Sequence, residues 1–321
     1  MPSNIFSFFL KYIFSFGLVF LFISCGASQK SAETPVPETM DFTPLETVQR
    51  LAEENKHLAS VVRDNTSTYP VEIRSILNRG SIRFAMLALD QKPFFYRDPE
   101  SGELIGLDVE IGYEIANRLR VRAIFDRESQ SFNDVVLQVM NKKADVALSK
   151  LSMTTQRAEQ IRYTNPYVSF RQSLLVNRLE FAKIGTEEQL PHFIRNYNGS
   201  LGVIKNSSYM NFALLNFPTA KVQTFDSWEQ TVEALFSGKV LGIYRDEGEI
   251  LIINATRKDA SILMKPVFIN DKRDPIAMAV SADAPLLQEW LNVFLSEYLL
   301  QKRGELTPSR IIARHFAEEN K

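Results

Sequence analysis

The stretch Ala144-Asp-Val-Ala-Leu-Ser-Lys-Leu-Ser-Met-Thr-Thr-Gln-Arg157 runs an apolar strand into a hydroxyl-rich turn and puts an arginine where a helix begins. Val146 to Leu148 are β-formers behind a charged edge residue, and Thr154 has the short oxygen side chain that caps a starting helix. A helix start carries unpaired amides and the positive end of a dipole, so a cation three residues past the cap is misplaced unless an anion lies between them. Ser152 adds a hydroxyl, and the guanidinium of Arg157 can grip a carboxylate with two parallel bonds. The segment therefore reads as a carboxylate or phosphate site. A plain ion pair of Arg157 with Glu159 or Asp126 on a solvated face stays equally open at this point.

Outward from this stretch, apolar strand-like runs alternate with amphipathic helical ones: Ile82 to Ala88, Val109 to Leu119, Ala123 to Phe125, Phe132 to Asn141 and Val146 to Leu148. That is the rhythm of a mostly parallel sheet covered by helices. A second cycle runs from Leu201 to Ile204, through a helix from Ser208, Val222 to Phe225, a helix Ser227 to Phe236, and Leu241 to Tyr244. Ser169 to Arg178 and Ile276 to Val280 are strand-like runs placed to cross between the cycles as a two-stranded hinge. Leu286, Leu287, Trp290, Leu291, Phe294, Leu295 and Leu299 form a helical stripe that returns the chain to the first lobe. Two hinged α/β lobes hold a ligand in the cleft, where strand ends and helix starts converge. On the second lobe, Lys205-Asn-Ser-Ser208 presents hydroxyls and amides, and Arg245-Asp-Glu247 places carboxylates at the cleft mouth. An anion grip facing a carboxylate suits a zwitterion such as an α-amino acid.

The N-terminus carries an export signature. Tyr12 to Ser24 is uncharged and rich in Phe, Leu, Ile and Val, follows Lys11, and stops at Cys25. A run of about 13 residues is short for a bilayer span. Cys25 is the single cysteine of 321 residues, which rules out an intrachain disulfide. Phe22-Ile-Ser-Cys25 resembles a bacterial lipobox, with Phe where Leu is usual, and makes Cys25 the expected lipidation site. Gly26 and Ala27, with no aspartate after the cysteine, resemble the outer-membrane sorting class. Ala27 to Met40 has the composition of a disordered tether. Thr43-Pro-Leu-Glu46 is a capping box with proline at the first helical position. Apolar residues then recur at helical spacing to about Arg63, a stripe that docks on the domain or pairs as a short coiled coil. Asn55 and the charges that interrupt it favour docking.

Lys and Arg number 37 against 38 Asp and Glu, a net charge of −1, with no basic stripe, which excludes a nucleic-acid binder. His57, His192 and His315 are isolated, so no metal site, cofactor or nucleophile is expected.

From about Arg79 to Phe316 the chain resembles the family 3 bacterial extracellular solute-binding proteins, amino-acid receptors of ABC importers. The resemblance rests on Arg79-Gly-Ser-Ile-Arg83, Pro93-Phe-Phe-Tyr96, Gly102-Glu-Leu-Ile-Gly-Leu-Asp-Val-Glu110, Lys143 through Arg157, Tyr163-Thr-Asn-Pro-Tyr167, Phe225-Asp-Ser-Trp228, Ala234-Leu-Phe-Ser-Gly-Lys239 and Asp246-Glu247. It implies a two-lobe, periplasmic-binding-protein-like (type II) α/β fold. It also implies that Arg157 holds a ligand α-carboxylate with help from Ser152, Ser207 and Ser208. Asp246 then takes the α-ammonium, the Lys150 position assists with its backbone carbonyl, and Phe132 packs on the ligand. Phe94 and Asp90 complete the expected ligand contacts. Three positions depart from the pattern: Lys150 where a small residue is usual, Gln91 where an aromatic is usual, and Leu241 where aspartate is common.

The expected organisation is a signal peptide at 1–24, a lipidated tether at 25–42, an added helix at 43–66, a first lobe of 67–172 with 281–321, and a second lobe of 173–280. The expected function is capture of an amino acid or similar zwitterion at a lipid anchor on the periplasmic side of a bacterial membrane, for an ABC transporter permease, without chemistry on the ligand. Two other classes stand beside it. One is a dehydratase-like enzyme using Glu247 or Glu249 as proton donor; the other is a ligand-sensing or cell-wall-associated module.

Overall fold

The computed structural model describes residues 43–60, 66–182, 190–302, 304 and 306–319. The expected signal peptide, Cys25 and the tether lie outside the described residues. Among the described residues, no helix is long and apolar enough to cross a membrane.

The first lobe begins with α1 (Pro44–Ala59) and α2 (Val71–Arg79), followed by β1 (Ser81–Leu87) and a small hairpin of β2 (Tyr96–Arg97) and β3 (Leu104–Ile105). Then come α3 (Leu107–Leu119), β4 (Arg122–Ser129), α4 (Phe132–Met140), β5 (Val146–Ala147), the single turn α5 (Thr155–Ala158) and β6 (Ile161–Tyr163). β7 (Val168–Asn177) opens the second lobe, which continues through α6 (Arg178–Phe181), α7 (Leu190–Asn196), β8 (Ser200–Ile204) and α8 (Ser208–Asn216). It is completed by β9 (Lys221–Phe225), α9 (Trp228–Phe236), β10 (Gly242–Asp246), α10 (Glu247–Thr256), α11 (Ala260–Leu263) and β11 (Met264–Ile276). The chain then returns to the first sheet as β12 (Ala279–Ser281), followed by α12 (Pro285–Gln301) and α13 (Pro308–Glu319).

Each lobe has its own five-stranded sheet, ordered β4-β1-β5-β12-β6 and β11-β7-β10-β8-β9. β1, β4 and β5 are parallel, as are β8, β9 and β10. β12 runs antiparallel to its neighbours β5 and β6 in the first sheet, and β7 runs antiparallel to its neighbours β10 and β11 in the second. The strand and helix cycles in the sequence thus yield two mixed sheets, each with a parallel block of three strands, packed in a large apolar core in the first lobe and two smaller ones in the second.

β7 and β11 pair along their length from Met264 opposite Asn177 to Ile276 opposite Val168, and a bridge from Ile276 to Ser152 ties this end to the first lobe. The hinge is therefore two-stranded. Its second strand ends at Ile276, however, so the crossing expected at Ile276 to Val280 is displaced towards the N-terminus, and Ala279 already belongs to the first sheet. The polar run Asn270-Asp-Lys-Arg273 hid the strand, because a register shift between Ile269 and Arg273 interrupts its alternation.

α1 docks. Thr43 and Glu46 form the expected reciprocal capping box, and Val48 and Leu51 are buried. Asn55, read from sequence as a break in the seam, is the fastening: its Nδ2 donates to Asn117 Oδ1 and the Val121 carbonyl, both at 2.8 Å, and its Oδ1 accepts from the Ala123 amide. The helix ends at Ala59, and 61–65 lie outside the described residues.

Gly106 precedes α3 with a φ of 119°, and a Cβ there would lie 2.5 Å from the Phe94 carbonyl oxygen. Backbone conformation and close approach both require glycine. Gly106→Ala is expected to destabilise the protein by on the order of 2–4 kcal/mol, seen as a melting temperature lower by about 5 °C or more. An unchanged melt would contradict this account of the turn.

Candidate functional site

Between the lobes lies a cavity of about 20 Å³ lined by Phe132, Lys150, Ser152, Arg157, Ser207, Ser208, Tyr209, Arg245, Asp246, Asp274 and Ile276. That is room for about one water, so in this closed form the side chains themselves fill the cleft. Among the described residues, four polar side-chain contacts join the lobes directly, beside the bond of Ser152 to Asp274 on β11. Ser208 Oγ donates to Ser152 Oγ at 2.9 Å, Asn211 Nδ2 to Gln156 Oε1 at 2.7 Å, and Arg245 Nη2 to Gln91 Oε1 at 2.6 Å. The fourth is the Lys150 ammonium, 3.0 Å from Asp246 Oδ2 and 2.7 Å from Glu249 Oε1.

Arg157 reaches the cavity because the chain leaves β5, turns through Ser149 to Met153 and starts α5 with Thr154 as cap, whose Oγ1 accepts from the Arg157 amide at 3.3 Å. α5 is one turn only, so the dipole expected there contributes little and the positive character rests on the guanidinium. That group is buried. Its Nη1 donates to the Ser152 carbonyl and its Nη2 to Asn133 Oδ1, both at 3.2 Å. Neither Glu159 nor Asp126 pairs with it, and among the described residues Arg157 makes no ion pair with any carboxylate. Burial accordingly pulls its pKa below the ordinary arginine value. A buried, unpaired cation is costly, and its retention points to an anion that arrives from outside.

Lys150 is the least ordinary member. Its backbone is left-handed, with a φ of 46°, a conformation that costs a non-glycine residue roughly 1 kcal/mol. The amide is held by Asp108 Oδ2 at 2.7 Å. The side chain runs between the rings of Phe94 and Phe170, with Nζ 5.0 and 5.7 Å from their centroids. Burial opposes its charge, but Asp246 and Glu249 outweigh burial and raise its pKa. Asp246 is likewise resisted by burial and held below the usual carboxylate range by Lys150 and Arg245. It also caps α10, with Oδ1 accepting from the Glu249 amide at 3.2 Å. The long side chain at position 150 thus fills the cleft and sits on the carboxylate expected to receive a ligand ammonium.

The remaining expected residues divide. Phe132, Ser207 and Ser208 line the cavity with Ser152 and Arg157, although the Ser207 hydroxyl is already used, donating to the Ile204 carbonyl at 2.7 Å. Phe94 lies behind Lys150, in a second small cavity shared with Phe170, Glu249 and Ile312. Asp90 does not reach either cavity: its carboxylate pairs with Arg127 at 2.8 Å and accepts from the Arg97 amide. Sequence reasoning gave no role to Arg245 or Asp274. Arg245 packs over Trp228 at 5.0 Å and faces both Asp246 and Glu249. Asp274 Oδ2 accepts from Ser152 Oγ at 3.1 Å and Tyr209 OH at 2.9 Å. Burial, and then the neighbouring Asp246, push Asp274 up to about 7. It was overlooked because it closes a charged run that reads as a solvated loop. Among the described residues, no group of three or more His, Cys, Asp or Glu side chains is arranged to hold a metal ion.

Residues 85–316 match the family described as bacterial extracellular solute-binding proteins, family 3. The chain belongs to that family. Among the relatives of this family 3 protein, the arginine-binding periplasmic protein of Mannheimia haemolytica is 23% identical over 155 residues, covering 48% of this chain and 59% of that protein. The cyclohexadienyl dehydratase of Pseudomonas aeruginosa is 28% identical over 115 residues, covering 36% and 41%. The matched stretch therefore spans about half the length of these relatives. An amino acid ABC transporter substrate-binding protein from Streptococcus pneumoniae, solved with L-arginine, shares the fold with a TM-score of 0.62 at 20% identity, over 77% of this chain and 98% of that one.

Proposed function

We propose that this family 3 protein is an extracytoplasmic receptor that closes its lobes over a small carboxylate-bearing solute, of the class that includes amino acids, and passes it to the permease of an ABC importer. The observation that carries the proposal is Arg157, a buried guanidinium at a closed interlobe cavity, supplied with hydroxyls by Ser152 and Ser208 and without a carboxylate of its own among the described residues. Charge-assisted bonds to a guanidinium are the strong, geometrically specific means of holding a carboxylate. Closure is a hinge motion about β7 and β11, stabilised by contacts that exist only when the lobes meet. The amino-acid specificities named for the relatives support the solute class. The sequence around Cys25 supports a lipid anchor on the outer face of the inner membrane or the inner face of an outer membrane.

The dehydratase relative brings a second reading, a proton-donating acid in the cleft. Glu247 and Glu249, the acids considered for it, are each engaged by a cation and not presented to a ligand: Arg171 Nε lies 2.7 Å from Glu247, and Lys150 Nζ 2.7 Å from Glu249.

Native mass spectrometry of the protein as purified tests the receptor reading. A retained small molecule bearing a carboxylate is expected. Absence of any retained mass, together with no calorimetric heat from a panel of amino and organic acids, would overturn it.

A further inference from the structure

Lys150 and Arg245 face Asp246 and Glu249 in a quartet with nitrogen to oxygen distances of 3.0, 2.7, 3.7 and 3.6 Å, so two cations meet two carboxylates. An ammonium entering with a ligand finds that place filled by the Lys150 ammonium, which is tethered to the first lobe and therefore present at high effective concentration. Donors, in contrast, remain. Arg157 uses two of the five N–H groups of a guanidinium on Ser152 and Asn133, and the buried Nη1 of Arg245 has no hydrogen-bond partner.

We propose that this cleft selects a small organic acid with no ammonium beside its carboxylate, because Lys150 occupies the cation position on Asp246 and Glu249 while Arg157 and Arg245 keep unused donors. The inference rests on the receptor reading above and narrows its ligand class, with Lys150 as the residue that sets specificity.

Among the described residues that line the cavity, Asp274 is the one other acid that an ammonium could approach. Its Oδ2 already accepts two hydroxyl bonds, and its Oδ1 has no partner. Because burial lifts this carboxyl to about 7, near neutral pH it is protonated much of the time and offers an O–H to an incoming carboxylate. Arg157, Arg245 and Asp274 then all act as donors to one anion. The left-handed backbone at Lys150 fits this account: a strained residue persists where its side chain is over-determined by its surroundings, here by two carboxylates and two aromatic rings.

Calorimetry on the full-length protein with matched pairs, each an α-amino acid and its 2-oxo or unsubstituted counterpart (alanine with pyruvate and propionate, glutamate with 2-oxoglutarate and glutarate), tests the proposal. The wild type is expected to bind the deaminated member of at least one pair tenfold or more tightly than the amino acid, and in no pair to prefer the amino acid. Lys150→Met, which keeps the bulk and removes the charge, is expected to shift that ratio at least tenfold towards the amino acid. A wild-type preference for the amino acid in any pair overturns this inference and leaves the receptor reading standing. So does an unchanged ratio in a Lys150→Met protein that melts cooperatively. If the variant does not fold, the wild-type ratio alone decides. Binding of neither member of any pair overturns this inference, and the receptor reading falls with it only where the purified protein also retains no carboxylate-bearing mass.

Discussion

Arg157→Ala is expected to lower affinity for the bound solute by about thirtyfold to several thousandfold while leaving the melting temperature of the ligand-free protein unchanged or slightly raised. The affinity loss follows from the strength of a desolvated, charge-assisted contact, about 2–5 kcal/mol when one partner is removed. The stability result follows from the opposite consideration. In the closed cleft the guanidinium is buried against a backbone carbonyl and an asparagine oxygen, with no ion pair to a carboxylate among the described residues to offset its desolvation. Truncating it removes a costly group, whereas truncating one partner of a satisfied buried ion pair would leave the other exposed to the same penalty. Arg157→Lys is expected to recover part of the affinity at most, since an ammonium cannot reproduce a bidentate fork. Calorimetry and thermal melting on the same preparations check both halves. A variant that binds normally, or one that loses affinity only because it has unfolded, would remove Arg157 from the site.

The same contrast between satisfied and unsatisfied charge explains what could be read from the sequence. Helix caps and strand runs are local, so Thr43 with Glu46, Ser131, Thr154 and Ser227 cap the helices they precede, and the two cycles of strand and helix resolve into two sheets. The meeting of Ser152, Arg157, Ser208 and Asp246 across the cleft was legible too, because the fold class dictates which strand ends converge. Which charges pair within the cleft was not. Lys150 finds Glu249 across 99 positions of sequence, and Arg245 finds Gln91 across 154. No local pattern encodes either contact. Asp90 failed for the complementary reason: it stands beside a cleft-forming turn in sequence, but Arg127 lies within reach on β4 and captures it. Asn55 favoured docking only as an interruption of the apolar stripe, and its bonds to Asn117 and Val121, more than 60 positions away, make it the point of attachment.

Raising the pH from 5 to 8 is expected to destabilise the ligand-free protein, by an amount on the order of a few kcal/mol. Two fully buried carboxyls carry the effect. Burial lifts Asp108 to about 7 against the bonds it accepts from the Lys150 amide and the Tyr167 hydroxyl. Burial and Asp246 lift Asp274 to about 7 against the Ser152 and Tyr209 hydroxyls. In the unfolded chain both ionise near the ordinary aspartate value of about 3.9. Between that value and about 7 the folded protein therefore binds more protons than the unfolded one, and stability falls as pH rises through this window. Above it both states are ionised and the slope vanishes. Asp246 acts in the opposite sense, but its pKa is lowered, so its contribution is lost only in more acid solution and does not enter this range. Asp274→Asn and Asp108→Asn, which keep an acceptor oxygen and cannot ionise, are each expected to flatten part of the slope, and the double variant most of it. Melting temperatures at half-unit steps from pH 5 to 8 check this. A flat wild-type profile, or variants that keep the full slope, would show that neither carboxyl is held protonated.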